Sequence, residues 1–191
     1  MADEIDILAV KTLSKAWGTL TSTRFRMRGR DGAEQTHERE VYDHGHAAAV
    51  LPYCPETGSI VLVRQFRYPP HWCGDSGFLL EVPAGLLDGD LPEACARREA
   101  EEETGLRLGP LQPAFATYVS PGSLTEKVSC FTGRYGAGDR VSAGGGVAGE
   151  GEDIEVVEMR FAAALALIAG GGITDAKTIM LLQHAALCRL L

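Results

Sequence analysis

Four glutamates, Glu99, Glu101, Glu102 and Glu103, crowd the end of the segment Ala84–Leu106, AGLLDGDLPEACARREAEEETGL. The segment reads as a helix from about Leu91 to Thr104. Asp90 is the expected N-cap, Glu93 completes a capping box, Pro92 sits in the first turn and Gly105 is the C′ stop. Carboxylates in the last turn oppose the helix dipole. Glu99 also repels Glu102 and Glu103 at i,i+3 and i,i+4, by about 0.2–0.5 kcal/mol a pair. These three share one face, and Arg98, four residues before Glu102, offsets their charge in part. A face of oxygen donors without His or Cys favours Mg²⁺ or Mn²⁺ over zinc. A merely solvated acidic helix end is the competing reading of the cluster alone.

The elements that must position this helix follow from periodicity. Arg24, Arg26, Arg28 and Arg30 alternate with Phe25 and Met27; Asp31-Gly32 marks a hairpin turn and Glu38–Tyr42 a return strand. The arginine stripe reads as a solvated face, or as an arm that reaches a partner subunit or a phosphate. Strands follow at Ala47–Leu51, Ser59–Tyr68, Phe78–Val82, Ala114–Val119, Val128–Tyr135 and Ile154–Phe161, the second apolar on both faces and so buried. Gly136–Gly151 is glycine-rich and reads as a loop. Helices at about Ala162–Ala169 and Asp175–Leu190 close the chain. The expectation is a mixed α/β (α+β) domain over residues 44–191 with an N-terminal β-hairpin arm over residues 1–43.

Composition narrows the function. Of 191 residues, 45% are hydrophobic and 23% charged, which suits a globular domain and excludes wholesale disorder. No apolar run approaches the ~18 residues of a membrane span, and the acidic start leads into no signal-peptide core. A net charge of −8 supplies no basic field for nucleic acid. The five cysteines are scattered with no Cys-x-x-Cys pair, as expected for reduced thiols in a cytoplasmic protein. His44 and His46 have no third ligand near them in sequence, and His71-Trp72-Cys73 reads as a loop at a pocket rim.

The spacing Arg98-Glu99-Ala100-x-Glu102-Glu103-x-Gly105-Leu106, preceded by Gly85, resembles the Nudix box. It departs from that pattern once: the stretch from Gly85 to the first acid is one residue short. Glu40-Val41-Tyr42-Asp43, Arg64-Gln65-Phe66-Arg67, Ser120-Pro121-Gly122, Thr125-Glu126, Gly144-Gly145-Gly146-Val147, Asp153-Ile154-Glu155-Val156 and Asp175-Ala176-Lys177-Thr178 extend the resemblance over nearly the whole chain. They resemble the GDP-mannose hydrolase branch, close to the ADP-ribose pyrophosphatases.

The resemblance implies a Nudix α/β/α sandwich with a mixed sheet, and a Mg²⁺-dependent enzyme that splits a nucleoside diphosphate sugar. It implies Glu99, Glu103, the carbonyl of Ala84 and Glu152 as metal ligands, Glu102 as a secondary ligand pinned by Arg98, and Glu150 as base, with a swap between Glu150 and Glu152 open. Substrate contacts carried over by position are Trp17, Arg39, Glu40, Arg67, Ala84, Gly85, Leu86, Glu126 and Lys177. Lys177 lies in the first turn of a helix, where a cation opposes the dipole, which favours a phosphate or sugar contact. The arm implies a homodimer. GDP-mannose is the preferred substrate, ADP-ribose the rival, and a nucleotide-sensing domain without catalysis the alternative from another class. No nucleic-acid or membrane partner is expected.

Overall fold

In the computed structural model, the described residues are 5–147, 149, 151 and 153–191, and they form two compact units. The first holds the N-terminal segment through His46 with Tyr118–Lys127. Its antiparallel sheet has the order β1-β2-β3, with β1 at Asp6–Lys15, β2 at Thr19–Arg28 and β3 at Glu34–Asp43. Asp31-Gly32 lies in the β2–β3 turn, where Asp31 Oδ1 accepts the Ala33 N–H at 3.0 Å. The arginine stripe meets acids across the strands: Arg24 faces Glu38, Arg28 faces Glu34, and Arg26 lies 3.7 Å from Asp6 and 3.4 Å from Glu34. Strand β1 was not anticipated, because Asp6–Lys15 lacks a clean alternation. It leaves Ile7, Val10 and Leu13 exposed on an edge strand.

The second unit, Ala47–Thr117 and Val128–Leu191, is built on a mixed sheet. Its strands are β4 (Ala47–Cys54), β5 (Ser59–Phe66), β6 (Phe78–Glu81), β7 (Ala84–Leu86), β8 (Leu111–Tyr118), β9 (Lys127–Arg134) and β10 (Glu155–Arg160). The order is β10-β5-β4-β9-β8, with β6 paired to β5 and β7 to β4; β4 runs parallel to β9 and antiparallel to β5 and β7. The α-helices are α1 (Tyr68–Trp72), α2 (Pro92–Thr104), α3 (Phe161–Ala169) and α4 (Ala176–Leu187). Every residue of β4 is buried, so both faces of the sheet are covered. Cys95, Ala96 and Ala100 of α2 pack with Ala48, Val50, Val61 and Phe131. Alternation turns Ala49 and Leu51 to the other face, and α4, which also packs on β4, buries Leu181, Leu182 and Ala185. The alanines Ala47-Ala48-Ala49 let helix and sheet approach closely, which fixes the height of α2 over β7.

Local expectations fail where a stronger partner intervenes. The N-cap of α2 is Leu91 and not Asp90, and no side chain caps it. Pro92 lacks an N–H to be capped, while the Asp90 carboxylate lies 3.6 Å from Arg98 Nε and Glu93 pairs with Arg97 at 2.8 Å. Pro69 and Pro70, which follow β5, open α1, since proline is tolerated where first-turn N–H groups need no partner. Helix α4 stops at Leu187, two residues before Arg189 adopts φ 52°.

The C-terminal end of α2 is sealed by backbone. Gly105 takes the left-handed conformation, φ 72°, and its N–H donates to Glu101 O at 2.9 Å. Gly145 N–H donates to Glu103 O at 3.0 Å, Gly146 N–H to Glu102 O at 3.1 Å, and Arg140 Nη1 to Thr104 O at 2.9 Å. Carbonyls that a helix end otherwise leaves to water are thus paired. A Cβ at Gly105 would overlap the Ser142 carbonyl as well as strain the backbone. Gly105→Ala is therefore expected to cost more than ~1 kcal/mol, seen as a lower urea midpoint with secondary structure retained. An unchanged midpoint would contradict the packed loop cap.

Candidate active site

The helix end and strand β7 bring the acidic residues together. Glu99 and Glu103 are 7% and 2% exposed, whereas Glu101 and Glu102 lie half-buried, Glu101 paired with Arg107 at 2.8 Å. The Ala84 N–H donates to Glu103 Oε2 at 3.2 Å. Arg98 Nη1 lies 2.9 Å from both Glu99 Oε1 and Glu102 Oε2, and its Nη2 donates to Leu86 O at 3.4 Å. Burial opposes the charge on Arg98, but Glu99 and Glu102 raise its pKa above the usual guanidinium value. Below the helix, Cys95 Sγ donates to Leu86 O at 3.3 Å. Burial, aided by Glu99, pushes this thiol up to about 11, so it serves as a neutral donor and not a nucleophile. A Cβ at Gly85 would overlap the Glu99 carboxylate.

Sequence reasoning missed Glu81, the charged residue in the apolar run Phe78-Leu79-Leu80-Glu81-Val82. It is 2% exposed and accepts from Arg67 Nε at 2.8 Å, Arg67 Nη2 at 3.1 Å and Lys177 Nζ at 2.5 Å. Burial alone would raise its pKa; Lys177 and Arg67 more than reverse this and hold it below the usual carboxylate value. Burial likewise disfavours the charge on Lys177, and Glu81 and Asp175 raise it. Lys177 therefore sits in a first turn because carboxylates offset the dipole there: Asp175, the N-cap of α4, lies 3.0 Å from its Nζ and accepts the Thr178 N–H at 2.9 Å. Arg67 is stabilised in charged form by Glu81 and also by Glu103 of the acidic cluster.

The other expected contacts lie in the first unit. Trp17 is 72% exposed and stacks on His44, ring centroids 4.9 Å apart at 19°. His44 Nε2 lies 3.9 Å from Glu126 Oε2, and its Nδ1 is buried with no partner among the described residues. His44 thus joins Trp17 to Glu126, a link the sequence did not suggest. Arg39 and Glu40 are exposed on β3, opposite Thr23 and Ser22. Glu150 and Glu152 lie outside the described residues.

Among the described residues no three His, Cys, Asp or Glu side chains converge into a metal-binding set. Glu99 and Glu103 nevertheless fit one side of an oxygen-only divalent site. They are adjacent buried carboxylates on a rigid helix, over a strand whose Gly85 makes room for one of them. The donor chemistry suits a hard dication, with further oxygen ligands to complete it.

Comparison with known proteins places this geometry. Residues 43–181 match the NUDIX domain, and residues 4–42 match the GDP-mannose pyrophosphatase NudK N-terminal domain. The domain is that of a pyrophosphohydrolase. The chain belongs to the Nudix family. It is 46% identical over 186 residues to the GDP-mannose pyrophosphatase of Pectobacterium atrosepticum, covering 97% of this chain and 95% of the relative. It is 44% identical over 188 residues to that of Cronobacter sakazakii, covering 98% and 97%. In fold it is similar to the crystal structure of an ADP compounds hydrolase, with TM-score 0.72, 19% identity, and 96% and 92% of the two chains covered. No helix among the described residues is long and apolar enough to cross a membrane.

Gly85→Ala tests the cluster's geometry. The clash falls on the mobile end of Glu99, so the fold should persist while turnover of a nucleoside diphosphate sugar falls about 10–100-fold. Equal activity in a folded Gly85→Ala protein would detach Glu99 from the chemistry.

Proposed function

We propose that this chain hydrolyses the diphosphate bond of GDP-mannose, releasing GMP and mannose 1-phosphate, with Mg²⁺, or Mn²⁺ in its place. The observation that carries the reading is the buried pair Glu99 and Glu103 at the sealed end of α2, against Ala84 and Gly85 of β7. Full-length similarity to GDP-mannose pyrophosphatases supports the substrate. The arm (residues 1–43) supplies substrate contacts and residues 44–191 the catalytic domain.

Glu99, Glu103 and the Ala84 carbonyl hold the divalent ion, with Glu152 as the ligand from the loop. When bound, such an ion neutralises diphosphate oxygens and lowers the pKa of water. The remaining work falls to the protein. Arg98 keeps Glu102 and Glu99 from moving apart. Arg67 and Lys177 present cationic N–H groups to the diphosphate, and the backbone of Ala84, Gly85 and Leu86 lies against it. Glu150 takes the proton from the attacking water. Within the first unit, Trp17, with His44 braced against its ring, offers a stacking face for a base, and Arg39, Glu40 and Glu126 offer polar contacts for the nucleoside and sugar. Phosphoryl chemistry of this kind is mostly positioning and charge stabilisation.

Product analysis with Mg²⁺ and separate GDP-mannose and ADP-ribose tests the substrate. GMP release much faster than AMP release is expected; the reverse would assign ADP-ribose, and no turnover of either would favour a binding-only domain. Glu103→Gln should keep the fold and lower turnover at least ~100-fold.

The arm supports a homodimer. Strand β1 is an edge strand with Ile7, Val10 and Leu13 exposed, and such edges are seldom left uncovered in soluble proteins. Sedimentation at micromolar concentration should give twice the 20.4 kDa chain mass, and a monomer would refute the pairing.

A further inference from the structure

The buried array around Glu81 is more elaborate than stability requires. Glu81 takes both Arg67 Nε and Nη2, at 2.8 and 3.1 Å, and Lys177 Nζ at 2.5 Å. Lys177 passes to Asp175 at 3.0 Å. The second oxygen of Asp175 accepts the Thr178 hydroxyl at 2.5 Å, and that hydroxyl accepts the N–H of Val82 at 2.8 Å. Val82 is the residue after Glu81, so the ring closes through the backbone. Replacing a buried ionic array by well-packed apolar residues is often neutral or stabilising, which makes stability a poor reason for keeping one.

What the ring does is aim two cations. The bidentate grip fixes the plane of the Arg67 guanidinium, leaving its Nη1 without a partner among the described residues on a side chain that is 41% exposed. That guanidinium is near enough to Glu103 to be stabilised by its charge. Three residues separate Glu81 from Ala84, whose N–H holds Glu103, so the array and the acidic cluster share one short run of backbone.

We infer that Glu81 is a positioning residue for the hydrolysis, holding Arg67 and Lys177 as one preset cationic array beside the acidic cluster for the oxygens of the diphosphate. The inference rests on the diphosphate-hydrolase reading above. With Glu81 neutral, the two cations lose the anion between them and repel, and the guanidinium loses its fixed plane.

The test is a mutant cycle on the full chain with Mg²⁺ and GDP-mannose. Glu81→Gln should lower kcat/KM about 100-fold, the scale of a small misplacement of reacting groups. Glu81→Asp, which keeps the charge, should recover at least about tenfold of that loss. In an Arg67→Ala/Lys177→Ala background the same Glu81→Gln change should cost less than about threefold, because its effect runs through those two side chains. Losses that simply multiply, or a lower Tm with kcat/KM unchanged, would overturn the inference. If Glu81→Gln does not fold, Asp175→Asn keeps a helix-capping side chain while loosening Lys177, and must show the same non-additivity with Lys177→Ala. A wild-type chain that splits no nucleoside diphosphate sugar would overturn the hydrolase reading alone. Calorimetric affinity for GDP with Mg²⁺ then decides: weakening by at least about tenfold in Glu81→Gln supports the array, and equal affinity refutes it.

Discussion

Carboxylates gathered at the negative end of a helix form a charge arrangement that the helix by itself opposes. Glu99, Glu102 and Glu103 repel one another and the negative end of the helix dipole, and two of the three are also removed from water. Much of the surrounding structure answers this one constraint. Gly145 and Gly146 bring N–H groups to the carbonyls of Glu103 and Glu102. The Ala84 N–H reaches the Glu103 carboxylate, and Arg98 bridges the other two acids. These partners lower the cost of assembling the cluster before any cation arrives. The carboxylates are thus preorganised to receive the dication we propose.

Holding the cluster demands rigid neighbours, and the core supplies them. β4 is buried along its whole length, and its alanines let α2 settle close to the sheet. β7 pairs with β4 through Ala84, Gly85 and Leu86, so the strand that meets the carboxylates is hydrogen-bonded to the most buried strand of the unit. Cys95, kept as a neutral thiol, ties the helix to the same strand from below. The glycine-rich run after Ser142, which reads as a loop by composition, is in its first part a packed cap.

The helix bearing the cluster, its stop at Gly105 and most strands of the mixed sheet were legible because each rests on local pattern: spacing along one helix face, an obligatory left-handed residue, or apolar runs between turn signals. Asp90 misled because a capping signature says nothing of Arg98, which takes that carboxylate instead. Strand β1 was hidden because its apolar residues are exposed and do not alternate against a core. Glu81 was overlooked for a different reason. A single acid in an apolar strand has no meaning until the fold brings Lys177, 96 residues away, to its carboxylate. His44 was set aside as a metal ligand for want of a third partner, and its actual neighbours, Trp17 and Glu126, are far from it in sequence.

These long-range pairings divide the chemistry in a way the box motif alone does not reveal. Among the described residues the acids that suit a metal, Glu99 and Glu103, are local, within five residues of one helix. The cations that suit a diphosphate are not: Arg67 follows β5, Lys177 opens α4, and the buried carboxylate they share closes β6. A site of one sign can be written into a single helix turn. A site that must hold both signs side by side without internal collapse needs separate elements. Both cations are committed to a buried acid, which keeps them from folding back onto the acidic cluster. Glu81 occupies Arg67 and Lys177 with hydrogen bonds of its own, which is how an acidic and a basic half can coexist without neutralising each other.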